Sequence, residues 1–227
     1  HLFGNMTDTT QIRSFCREHN IAFIEDAAQS LGTSYKGVRS GSIGDSSVIS
    51  FNTNKVIAGI NGGGLYLTDS EDHAEYVRKV RQHGQDEVLG YNSKMYSFNA
   101  EVINKRFENL TNYQRRRQEI AEIYNDYFEC LDLYRQTMDN DLDHNYHKYV
   151  VRFENQKKRD AAKKILKASI HYQNPISDNR MYDHIDYRAD DCENCRIAAD
   201  TVLSLPIHPW MRANEISTVV ESIQSVF

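Results

Sequence analysis

The sequence predicts an α/β protein: a mostly parallel sheet in the first half and a smaller α+β domain after it. Three observations carry that class. Two short apolar runs, Ile21-Ala22-Phe23-Ile24 and Val48-Ile49-Ser50-Phe51, are each followed by polar, turn-forming residues. Such runs read as strands buried on both faces, as in a parallel sheet. Leu2-Phe3-Gly4, a helical stretch and Ile21–Ile24 then give strand, helix, strand, an order that favours a right-handed parallel crossover. Finally, residues 149–172 mix strand and helix signals within a short span.

Taken in order, Leu2-Phe3-Gly4 reads as a strand end. Asp8 and Gln11 suit a capping box, with Ile12, Phe15 and Cys16 on an apolar helix face. Residues 33–45 are rich in Gly and Ser and read as a loop or hairpin. Gly64-Leu65-Tyr66-Leu67-Thr68 is the next strand, and a helix over about residues 70–83 ends at Gly84. Residues 85–96 form a polar loop. From Phe98 to Phe128 helical periodicity predicts two core stripes, Ile103, Phe107 and Leu110, then Ile120, Ile123, Tyr124, Tyr127 and Phe128. Arg115-Arg116-Arg117 beside Glu119 and Glu122 reads as a solvated helix face rather than a nucleic-acid patch. The acidic stretch Met138–His144 is a linker or surface loop. Strand Tyr149–Phe153, helix Gln156–Leu166 and strand end Ile170-His171-Tyr172 complete the α+β portion.

Composition narrows the function classes. The 227 residues are 40% hydrophobic and 26% charged, ordinary for a soluble globular chain. A net charge of −5 gives no reason to expect nucleic acid or an anionic membrane as partner. No apolar run approaches a bilayer-spanning length and no signal peptide opens the chain. Four cysteines do not make a disulfide framework, which points to a reducing, cytoplasmic compartment. Cys192-Glu193-Asn194-Cys195 is a single CxxC without further zinc ligands at suitable spacing, so structural thiols are expected there.

The chemistry gathers around Asp26, Ser50 and Lys55, each at or just after a predicted strand end. In parallel sheets ligands sit beyond the carboxyl ends of the strands. A lysine amine forms a Schiff base with an aldehyde, a carboxylate keeps a pyridinium nitrogen protonated, and a nearby hydroxyl hydrogen-bonds a phosphate. Together they describe a pyridoxal phosphate site. Spacing alone leaves bland readings open. A loop lysine is usually a solvated charge, and Asp26 equally suits a cap on a short helix Ala27–Leu31.

Glu25-Asp26-Ala27-Ala28-Gln29, Gly41-Ser42-Ile43-Gly44-Asp45, Ser50-Phe51, Lys55 and Gly62-Gly63-Gly64 occur in an order that resembles the core signature of the DegT-type nucleotide-sugar aminotransferases. The resemblance continues through Gly90-Tyr91-Asn92-Ser93-Lys94-Met95, Tyr146-His147-Lys148-Tyr149, His171-Tyr172 and Leu203–Pro209, and so covers essentially the whole chain. It implies pyridoxal phosphate transferase fold type I: a three-layer sandwich, its large domain incomplete here over residues 1–114, and a small α+β domain over 115–227. It also implies transamination of a keto sugar, nucleotide-linked, with glutamate as amino donor, in polysaccharide or antigen biosynthesis. Lys55 takes the Schiff-base role, Asp26 the ring nitrogen, Gln29 the ring face or hydroxyl, and Ser50 the phosphate. Asn92 would reach the phosphate of the neighbouring subunit in a homodimer with a shared active site. A related dehydratase has histidine where Lys55 stands, so Lys55 favours transamination.

Two positions depart from the family pattern, Lys94 for a usual arginine and Asn99 for a usual glutamine. His147 and His171 fall near the family's substrate side, and His208 between Pro206 and Pro209 reads as structural. His1-Leu2-Phe3-Gly4 resembles the middle of the pattern. Full members carry a preceding portion with the phosphate anchor and the aromatic residue that stacks on the cofactor. The 227 residues alone are therefore expected to be inactive, and the competing reading is a non-catalytic fragment or interaction module.

Overall fold

The structure, a computed structural model, describes residues 1–185 and 192–227. They form two compact units, one of residues 1–118 and 138–147, the other of residues 119–137 and 148–227. In chain order the elements are α1 (Thr10–Glu18), β1 (Ile24–Asp26), β2 (Ser34–Tyr35), β3 (Val38–Arg39), β4 (Ser46–Ser50), β5 (Gly64–Thr68), α2 (Glu71–Val80), α3 (Ser97–Phe107) and α4 (Leu110–Tyr127). They continue as β6 (Leu133–Arg135), β7 (Leu142–Asp143), β8 (Tyr149–Phe153), α5 (Gln156–Leu166), α6 (Glu193–Thr201), β9 (Val202–Leu205) and α7 (Ala213–Gln224).

The first unit is built on the sheet β1-β4-β5, with β1 parallel and β5 antiparallel to β4. Its register sets Asp26 opposite Val48 and Glu25 opposite Ser47. Side chains alternate across a strand, so Asp26, Val48 and Ser50 share one face while Glu25, Ser47 and Ile49 share the other. The second face packs on a core of Ile49, Phe51, Ile57, Ala27 and Ile103. Tyr35 of a small sheet, β3-β2-β7, packs with Met6 and Ile43 in a second core cluster. Ser70 caps α2, its hydroxyl accepting from the His73 N–H at 3.3 Å. Acidic Glu71 and Asp72 in the first turn and basic Arg78 and Lys79 in the last suit the helix dipole.

The second unit is an antiparallel sheet, β6-β8-β9, with helices against it. Its strands expose little: four of the five residues of β8 are buried. Tyr124, Phe128, Phe153, Ile120, Leu203 and Ile223 are its largest fully buried side chains, each contributing about 1.5–3 kcal/mol by leaving water. The Tyr124 hydroxyl donates to the Pro206 carbonyl at 2.8 Å, so its polar end is satisfied. Asn155 caps α5, accepting from the Lys158 N–H at 3.0 Å.

Several local expectations are corrected. Leu2–Gly4 is a 3-10 turn rather than a strand end. Strand β1 begins only at Ile24, because the Phe23 N–H is taken by the Asp45 carboxylate at 2.8 Å instead of a strand partner. Residues 28–32 form turns and no helix follows Asp26. The apolar face of α1 is open, with Ile12 and Phe15 exposed. The long helical stretch breaks at Glu108 and Asn109, where Asn109 opens α4 by accepting from the Tyr113 N–H at 3.0 Å through its carbonyl. Tyr127 is exposed. Arg117 is buried, not solvated, and donates to the Tyr146 carbonyl at 3.0 Å. Burial pushes its guanidinium down to about 10.

Candidate active site

Strands β1 and β4 run parallel, so their carboxyl ends open on the same side of the sheet. Asp26 is the last residue of β1, Ser50 is the last of β4, and Lys55 follows in the turn after β4. Lys55 is partly buried and its backbone N–H donates to the Asn52 carbonyl at 2.9 Å. Burial lowers the pKa of its amine, and the Asp26 carboxylate, close enough to act through its charge, pulls the other way. The structure therefore brings Asp26 and Lys55 together, with Ser50 on the Asp26 face.

The side chains of Asp26, Gln29 and Ser50 each accept a backbone N–H. One Asp26 carboxylate oxygen accepts from the Ala28 N–H at 3.0 Å, which makes the turn that leads to Gln29. The Gln29 side-chain oxygen accepts from the Phe3 N–H at 2.7 Å. The Ser50 hydroxyl accepts from the Asn52 N–H at 3.2 Å. Asn92 stands apart: it is exposed, sits in the loop after α2 and pairs through its backbone with Gln82. Among the described residues no hydrogen bond or charge interaction links Asn92 to Lys55 or Asp26.

Sequence reasoning missed the residues that hold these side chains in place. Glu25, next to Asp26 but facing the opposite way, is 2% exposed and accepts from the Gly41 N–H at 2.7 Å, the Ile43 N–H at 2.9 Å and the Ser47 hydroxyl at 3.0 Å. His1 Nε2 adds a contact at 2.9 Å. Glu25 thus ties the Gly-Ser-rich loop to β1, and each hydrogen bond to its charge is worth about 1.5–3 kcal/mol. Strand alternation was the available signal: of two adjacent acids, one had to point inward.

Asn145, fully buried, performs the same service for the turn after Asp26. Its side-chain amide donates to the Gln29 and Leu31 carbonyls at 3.0 Å each. Gly4, at φ 99°, packs so closely that an added Cβ would meet the Asn145 oxygen at 1.9 Å. The contact is long-range in sequence, and nothing local announces it.

Beside it, His144 is buried; its Nδ1 accepts from the Tyr146 N–H at 2.8 Å, and Nε2 has no partner. Burial pushes its pKa from 6.5 down to about 4. Unfolded chain then binds the proton that folded chain refuses. The stability this residue contributes is complete above pH 6.5 and is lost as pH falls toward 4. Urea unfolding across that window is expected to show His144→Gln with a flatter pH dependence than the wild type; parallel curves would contradict the assignment.

The Cys192 and Cys195 thiols, at the start of α6, are free, as are Cys16 and Cys130. Among the described residues no group of His, Cys, Asp or Glu is arranged to hold a metal ion, and no helix is long and apolar enough to cross a membrane.

Comparison with known proteins places this geometry in context. The sequence profile of the DegT/DnrJ/EryC1/StrS aminotransferase family matches residues 1–224. The chain is 28% identical to a pleiotropic regulatory protein of Geobacillus stearothermophilus, across 100% of this chain and 64% of the relative. It is 29% identical to the UDP-N-acetyl-3-dehydro-alpha-D-glucosamine 3-aminotransferase of Acidithiobacillus ferrooxidans, across 99% of this chain and 62% of the relative. Among solved structures it is similar to DesV of S. venezuelae in complex with a ketimine intermediate, at a TM-score of 0.91 and 26% identity, covering 99% of this chain and 63% of that one. The chain thus spans a little under two thirds of the length of the relatives it matches. Its fold is the one expected from the sequence, the α/β fold of these aminotransferases.

Proposed function

Because the chain belongs to the DegT/DnrJ/EryC1/StrS aminotransferase family, we propose that it carries the lysine-bearing part of a pyridoxal phosphate-dependent aminotransferase acting on a nucleotide-linked keto sugar, with glutamate as amino donor. The observation that carries this reading is the half-buried Lys55 amine within charge range of Asp26, beyond the carboxyl ends of two parallel strands. The donor set fits the cofactor: a primary amine for its aldehyde, a carboxylate for its ring nitrogen, a hydroxyl for its phosphate. The sugar class is supported by the relative from Acidithiobacillus ferrooxidans, whose name specifies a UDP-linked dehydro sugar.

Pyridoxal phosphate, when bound, supplies an aldehyde and an electron-withdrawing ring that stabilises negative charge on a substrate carbon. Lys55 supplies the amine that holds the aldehyde. Its burial favours the neutral form, which is both the nucleophile and the base. With the cofactor bound, the Lys55 amine would also serve as the base that takes a proton from the substrate carbon and returns it. Asp26 keeps a proton on the ring nitrogen, and its second carboxylate oxygen is the one outside the turn to Ala28. Gln29 would lie against the ring or its hydroxyl, Ser50 would bind the phosphate, and Asn92 would serve the phosphate of a second subunit in a homodimer. Four free thiols support a cytoplasmic setting.

The full-length protein, given the cofactor, glutamate and UDP- or dTDP-linked keto sugars, is expected to release 2-oxoglutarate and an amino sugar in equal amounts. Amino transfer confined to amino-acid substrates would overturn the sugar assignment.

A further inference from the structure

We infer that Asn99 is a positioning residue: from α3 it fixes the loop that presents Lys55. The inference rests on Lys55 being the amine of the site and on nothing about the sugar. Asn99 is 9% exposed. Its side-chain oxygen accepts from the Ile60 N–H at 2.8 Å and its nitrogen donates to the Gly62 carbonyl at 2.8 Å. One amide therefore satisfies a donor and an acceptor on either side of the loop tip, which a carboxylate or an alkyl side chain cannot do.

The backbone leaves room for this brace and little else. A Cβ at Gly59 would stand 2.2 Å from the Gly62 carbonyl oxygen and 2.7 Å from the Asn99 side-chain oxygen. Gly63 holds φ at 128°, and a Cβ there would meet the Met95 methyl at 2.7 Å. The loop is closed at its base by the Phe51 N–H donating to the Gly63 carbonyl at 2.9 Å and the Gly59 N–H donating to the Phe51 carbonyl at 2.8 Å. Ile103, one turn beyond Asn99 on α3, shares a core cluster with Ile57, two residues after Lys55. The same helix also reaches the Ala58 carbonyl through the Arg106 guanidinium. Lys55 thus rides on a loop seated by one apolar contact and three hydrogen bonds from α3. Released from Asn99, the loop opens and Lys55 moves into water, which removes the desolvation that lowers its pKa.

The test is competitive acetylation of the full chain without cofactor, across pH, with each lysine peptide quantified by mass spectrometry. In Asn99→Leu, Lys55 is expected to label at higher pH than in the wild type, while the exposed Lys157 labels as before. Asn99→Gln, which keeps the amide, is expected to restore the wild-type profile. The Ile60 amide is expected to exchange faster in Asn99→Leu. If Asn99→Leu fails to fold, Arg106→Met at an exposed position decides, with a shift in the same direction supporting the brace. A Lys55 profile unchanged in the folded variants overturns it. Because no cofactor is present, this result stands apart from whether Lys55 is the residue that binds one.

Discussion

Lys55→Ala is expected to abolish amino transfer while leaving the fold intact. On the proposed reading the amine bonds the cofactor aldehyde and doubles as the base that moves the proton. Positioned proton transfer alone is worth about 10²–10⁴-fold in rate, and loss of the covalent link adds to that. The fold tolerates the change because what anchors Lys55 is its backbone, through the bond to Asn52; the truncation also removes a desolvated amine rather than a structural contact. Turnover is to be measured beside thermal unfolding. A variant within tenfold of wild-type turnover would reject the assignment.

Asp26→Asn is the second large effect, and its signature differs. The amide oxygen can still accept from Ala28, so the turn after β1 survives. What disappears is the charge that, on the proposed reading, keeps the ring nitrogen protonated. Loss of a preorganised electrostatic contact of this kind costs on the order of 10²–10³-fold in kcat. KM is expected to change little, since the interaction strengthens as negative charge develops and not on substrate binding. The same substitution acts on Lys55. Asp26 is the influence that raises the lysine pKa against burial, so without its charge the amine titrates lower still. Near-normal kcat would reduce Asp26 to a turn former.

Much of this arrangement was legible because it is local. The apolar runs Ile21–Ile24 and Val48–Phe51, and the glycine triplet 62–64 that leads into β5, sit where chain direction and strand ends alone place a ligand. The strand Gly64–Thr68, the strand Tyr149–Phe153 and the helix Gln156–Leu166 carry their own periodicity and recur in the structure with those bounds. The supporting residues lack any such signature. Asn99 and Asn145 look like loop or helix asparagines, and only tertiary packing brings them to the backbone of the Lys55 loop and the Gln29 turn. Arg117 read as solvated because its neighbours are charged, yet its turn of α4 points inward to the Tyr146 carbonyl. Periodicity locates a helix face; it does not say which polar residue on the boundary finds a buried acceptor.

The central claim is that Lys55 is the amine that takes the cofactor. Reduction of the full-length protein with borohydride in the presence of pyridoxal phosphate, followed by peptide mapping, tests it most directly. A stable adduct on the peptide containing Lys55, absent in Lys55→Ala, is the expected result. An adduct that maps instead to Lys36 or Lys94 would contradict the account.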